Sequence, residues 1–148
     1  MRAEGERMSV NAGMRHVPDT PQVKSLYACD EARKLAFHTI KICANKNIFA
    51  AEYQEAVTND LINTAKGIYL DAWMANNIRV GEDPEKWKRR KFLQEKSLLG
   101  CVRMLSLIGL AKCLFHLRGK KVKYWCELTV KTQHLLKKWA EADAKRYE

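Results

Sequence analysis

The sequence predicts an all-α chain folded as an antiparallel up-down four-helix bundle. Three observations carry that expectation. Apolar residues beyond position 21 recur at the three-and-four spacing of a helical stripe, no alternating run is long enough to make a strand, and the periodic stretches are separated by short polar breaks. Residues 1–21 carry Gly5, Gly13 and Pro18 without a sustained period and read as a flexible N-terminal arm, which leaves 22–148 as the bundle.

The first helix is expected over about 22–44, with Leu26, Cys29, Arg33 or Ala36, Phe37, Ile40 and Cys43 or Ala44 as its buried stripe. Asn45-Lys46-Asn47 ends it. The second, over about 51–77, repeats Val57, Leu61, Ala65, Ile68, Ala72 and Ala75 in an a/d-like pattern flanked by Tyr53, Tyr69 and Trp73. Asn76, Asn77 and Gly81 break the chain there. Asp83-Pro84 marks the third start, because an aspartate can cap free N–H groups and proline tolerates the first helical position. That helix is expected to run to about Leu117, and Arg118-Gly119-Lys120 to form a tight turn. The fourth, over about 121–144, should bury Val122, Trp125, Leu128, Thr132, Leu135 and Trp139.

The third helix is unusual in composition. Leu98–Leu117 holds fourteen apolar residues in twenty, enough to span a bilayer by length, but Arg103 and Lys112 lie inside it. Each costs roughly 2.5–3.5 kcal/mol at mid-membrane, which favours a soluble helix and no membrane partner. One bundle core needs only part of a helix's circumference, so a segment this apolar wants a second partner surface, and Gly100, Ser106 and Gly109 would allow close approach. Self-association is the expectation.

The formal charge is +10, and its placement says more than its size. Residues 1–80 hold ten Lys/Arg against nine Asp/Glu, and residues 81–148 hold seventeen against eight. Within "DPEKWKRRKF" (83–92), Lys88, Arg89, Arg90 and Lys91 are four successive helical positions that fan over about 300°. They cannot share one solvated stripe, and cations at a helix start oppose its dipole, so phosphate contact is expected. Lys86, Lys88, Arg89, Arg90 and Lys91, with Arg118, Lys120, Lys121 and Lys123 on the turn at the other end, are the candidate nucleic-acid-binding residues. Trp87 is expected to pack rather than to stack on a base.

Five cysteines, an odd number with no C-x-x-C pair, fall among apolar residues and read as free thiols in a reducing compartment. With no apolar leader at the start, a cytoplasmic location is expected. Cys113, His116, Cys126 and His134 have spacings that do not converge on a tetrahedral metal, and no phosphate loop or hydrolase motif is present, so neither a metal nor a cofactor nor a catalytic residue is expected. Arg33-x4-His38 resembles the R-x4-H motif of HEPN-type ribonucleases, in which the two residues from paired protomers converge on the scissile phosphate.

Three blocks carry a wider resemblance: "AKGIYLDAWMANNIRV" (65–80), "GLAKCLFHLRGKKVKYW" (109–125) and "LLKKWAEAD" (135–143). They look like the bacterial four-helix-bundle family that includes the accessory variability determinant (Avd) proteins of diversity-generating retroelements and the proteins encoded in 23S ribosomal RNA intervening sequences. The resemblance covers roughly residues 22–146 and is structural rather than catalytic. It implies a homopentameric barrel with a basic surface that binds a retroelement reverse transcriptase and template RNA or cDNA during mutagenic copying, without being an enzyme. Two other expectations stay open: an oligomeric scaffold recruiting an acidic protein, and a HEPN-like ribonuclease.

Overall fold

In the computed structural model, residues 21–148 are described, and the expected N-terminal arm lies outside them except for Pro21. The described residues form four α-helices and no strand: α1 (Pro21–Cys43), α2 (Asn59–Asn76), α3 (Pro84–Phe115) and α4 (Gly119–Tyr147). Together they make a four-helix bundle around one core of Leu35, Leu61, Ile68, Met104, Ile108, Trp125, Leu136 and Trp139, all fully buried. Cross-links between helices are few and specific. Trp125 Nε1 donates to Thr39 Oγ1 at 2.9 Å, joining α4 to α1, and Ser97 Oγ donates to the Ile68 carbonyl at 2.8 Å, joining α3 to α2.

The stripe expected on α2 is the observed one, since Val57, Leu61, Ala65, Ile68, Ala72 and Ala75 are all buried. Its entry differs: the chain winds first as a 3-10 turn (Ala51–Tyr53) and then as a π-helical segment (Gln54–Thr58) before the α-helix begins. Ahead of that entry, Phe49 plugs one end of the core against Phe115, ring centroids 4.6 Å apart.

On α1 the expected stripe is corrected. Cys29, Ala36 and Cys43 are buried as expected, but Leu26, Phe37 and Ile40 are 50%, 65% and 43% exposed, and Ala28, Ala32, Leu35 and Thr39 complete the buried face in their place. Small side chains face the core because they let α1 lie close to its neighbours, and this leaves the bulkier apolar residues outside.

Asp83 caps α3 as expected, its Oδ1 accepting from the Glu85 and Lys86 N–H groups at 2.9 and 3.4 Å, with Pro84 in the first turn. The preceding turn needs Gly81, whose φ of +57° is left-handed. α3 closes earlier than expected, at Phe115, where His116 takes the left-handed conformation (φ 53°), and Gly119 opens α4 instead of making a turn.

α3 is apolar on two faces. Arg90, Gln94, Ser97, Cys101, Met104, Ile108 and Ala111 point inward, and Leu99, Val102 and Leu110 point outward at 69%, 53% and 52% exposure. By length and composition it could cross a bilayer, with 22% of its most apolar stretch buried. The small residues divide between the faces. Gly100 serves the fold itself, since a Cβ there would stand 2.7 Å from Ile68 Cγ1, whereas Gly109 and Ser106 lie on the open side.

Candidate nucleic-acid interface

The start of α3 and the end of α4 meet at one end of the molecule. Lys91 Nζ binds Glu148 at 2.8 Å and the Trp87 ring packs on Tyr147 with centroids 5.1 Å apart, so Trp87 is half-buried. The Lys91 pair is open to solvent. The hydrogen bond raises the lysine's pKa and lowers that of Glu148, and it is the first cause in both cases.

Of the four cations in a row, three remain outside. Lys88, Arg89 and Lys91 are exposed, as is Lys86, and among the described residues Lys88 meets only Glu85, at 3.9 Å. Arg90 is the exception and corrects the expectation that it is free for phosphate. Its side chain is 9% exposed, its Nε donates to Asp143 Oδ2 at 2.8 Å and its Nη1 to the Ile78 carbonyl at 2.9 Å. The guanidinium lies 5.3 Å from the Trp139 ring centre and 5.8 Å from that of Tyr147. Gln94 Nε2 reaches the same Asp143 oxygen at 2.7 Å. The 300° fan requires one of four successive residues to face the bundle, and Arg90 is that residue because Asp143 awaits it.

The sequence reading missed Asp143 and Gln94, although a signal was present. Gln94 stands one turn beyond Arg90, and Asp143 extends the stripe of Trp125, Thr132, Leu136 and Trp139 by four residues. Polar residues in register with a core stripe are the mark of a buried network. This one is not fully satisfied: Asp143 Oδ1, Gln94 Oε1 and Trp139 Nε1 are buried without a partner among the described residues.

At the other end, Arg118, Lys120, Lys121 and Lys123 are all exposed and form no ion pair among the described residues. From Lys88 to Arg118 is thirty residues, nearly all helical, so at 1.5 Å per residue the two basic groups lie roughly 45 Å apart. The structure therefore presents two separate basic ends rather than one patch.

Arg33 and His38 do not converge within the chain. They are five residues apart on one helix, about 140° around it. Arg33 is paired with Asp30, and His38 packs edge-on against Tyr124 at 5.0 Å with its Nε2 buried and without a partner among the described residues. Burial, and secondarily Lys121, lowers the His38 pKa.

All five cysteines are free. Burial pushes the thiols of Cys29, Cys43 and Cys101 up to about 12, Cys126 is half-buried and Cys113 is exposed. Among the described residues no group of three or more His, Cys, Asp or Glu side chains could hold a metal, and Cys113, His116, Cys126 and His134 form no such cluster. No protein-family model, curated protein or solved structure matches the chain.

Proposed function

We propose that this chain is a non-catalytic accessory subunit of a diversity-generating retroelement, which binds template RNA or cDNA and holds the reverse transcriptase in a productive complex. The observation that carries this reading is the pair of exposed basic ends, whose Lys86, Arg89, Arg118, Lys120, Lys121 and Lys123 have no carboxylate partner among the described residues. Unpaired cations at that density favour a polyanion. The resemblance of the 65–80, 109–125 and 135–143 blocks to the Avd family supplies the biological setting, in the cytoplasm.

The finer architecture in this reading is an antiparallel up-down bundle assembled as a pentameric barrel. Side-chain pairs support the antiparallel course: Glu31 with Lys131 and Thr39 with Trp125 between α1 and α4, and Arg90 with Asp143 between α3 and α4. The outward Leu99, Val102 and Leu110 of α3 supply an apolar face that another copy would cover.

The test is particle mass by light scattering, with and without a structured RNA, at low and high salt. A five-chain particle that gains RNA mass at low salt and sheds it at high salt is the expected result. A particle that never gains RNA mass, but does so with an acidic protein, would replace this reading with the scaffold one. RNA cleavage abolished in His38→Ala would replace it with the nuclease one.

A further inference from the structure

Beside the buried Arg90 lies a polar cleft of about 260 Å³, where the start of α1, the loop between α2 and α3 and the end of α4 come together. Among the described residues three arginines line it, Arg79, Arg90 and Arg146, with Tyr147, Asn76 and Ser25, and no carboxylate does. We propose that this cleft binds a phosphate monoester, supplied by the terminal phosphate of a nucleic-acid strand. This deepens the nucleic-acid reading above and rests on it for the source of the phosphate.

Three features make the cleft a built site rather than a chance gathering of arginines. Arg90 is nine-tenths buried and held from behind, through Nε by Asp143 and through Nη1 by the Ile78 carbonyl, while its Nη2 makes no hydrogen bond among the described residues. That leaves the Nη2 donors of a fixed, planar guanidinium unspent in a residue that lines the cleft. Arg146 is set by its own stacking over Tyr147 at 5.1 Å, the ring that also flanks Arg90. The loop over 77–83 spends its Asn77, Ile78 and Asp83 N–H groups in turns and leaves those of Arg79, Val80 and Gly81 without an acceptor among the described residues. Successive free N–H groups beside a left-handed glycine are the makings of an anion nest.

Charge selects the ligand. Asp143 neutralises Arg90, so among the described residues Arg79 and Arg146 leave a net of two positive charges at the mouth. A phosphate monoester carries about −1.5 to −2 near pH 7 and matches that, whereas an internal phosphodiester carries about −1. Size agrees, because the cleft is smaller than the roughly 300–1,000 Å³ of pockets that enclose a drug-sized molecule, and suits one phosphoryl group with part of its sugar. Lys86, Lys88, Arg89 and Lys91 stand at the same end to meet the phosphates that follow.

The experiment compares one oligonucleotide sequence bearing a 5′-phosphate, a 3′-phosphate or hydroxyl ends, by fluorescence anisotropy, on wild type and on Arg79→Gln/Arg146→Gln. Melting with inorganic phosphate against chloride at matched ionic strength runs alongside. Expected are about tenfold tighter binding of one phosphorylated end and a rise in Tm with phosphate. Both should vanish in the double variant, which keeps wild-type melting in chloride and wild-type affinity for the hydroxyl-ended strand. Strands that bind equally whatever their ends, with no phosphate effect on Tm, would overturn the cleft as a phosphate site while leaving the accessory function standing. No strand binding at all, with an arginine-dependent rise in Tm on phosphate, would overturn the strand-end source and the accessory reading, and retain the site for a free phosphate.

Discussion

Arg90 shows how one residue can be held by the fold, through Asp143 and the Ile78 carbonyl, and still present donors to a ligand. Removing one partner of a buried ion pair costs about 3–5 kcal/mol, because the remaining charge is stranded in a poor solvent. Arg90→Ala should therefore lower stability by that amount in urea unfolding, and replacing Arg90, Gln94 and Asp143 together by Met, Leu and Leu should recover most of it. Equal destabilisation in the single and triple variants would mean that packing, not charge, is what Arg90 supplies. His38 makes the matching case for pH. Its folded pKa lies below the ordinary 6.5, so its contribution is intact above that value and is lost as pH falls through the lower folded value. Protonation would leave a half-buried cation near Lys121, its Nε2 without a partner among the described residues. Between about pH 8 and about pH 5, the Tm of His38→Gln should fall less than that of wild type. A parallel fall in both proteins would place the pH sensitivity elsewhere.

At the scale of elements, α2 was legible because its stripe keeps one period and is flanked by large or polar residues, so only one face can be buried. α1 was not, since it carries two stripes and reading by bulk selects Leu26, Phe37 and Ile40 over the small residues that allow close packing. α3 was legible as a helix with two apolar faces. What the periodicity could not reveal is that Gly100 belongs to the inner contact with Ile68 and Gly109 to the outer face. Likewise Asp83 could be read as a cap, but Arg90 could not be told from Lys88, Arg89 and Lys91 without knowing the phase of the helix against Asp143. The outer face of α3 yields the prediction proper to this scale. Leu99 and Leu110 are more than half exposed in the single chain, so Leu99→Glu/Leu110→Glu should change its unfolding free energy by no more than about 0.5 kcal/mol per site. The same change would bury two carboxylates in an assembly built on that face, and the mass by light scattering should drop to one chain. An unchanged mass would move the assembly interface to another surface.

For the whole molecule, the spacing of the two basic ends matters more than the total charge. Neutralising Lys86, Lys88, Arg89 and Lys91 to Gln should reduce the slope of log K against log salt by about 0.7 for each phosphate of a single strand that a cation no longer neutralises. Neutralising Arg118, Lys120, Lys121 and Lys123 should do the same independently. Length then separates two modes of binding. A duplex rising 3.4 Å per base pair must be about thirteen base pairs long to reach across the roughly 45 Å between the ends. Shorter duplexes can occupy only one end of a chain at a time, so removing one set merely halves the sites and weakens binding about twofold. Longer ones engage both, and the salt slope should fall with each set removed, the two reductions adding. If single-set variants bind only twofold more weakly at every length, the ends act as separate sites and no strand runs along the bundle. If neither set, nor both together, weakens binding or changes its slope, the cations answer an acidic protein instead, and the excess charge of residues 81–148 is its counterpart.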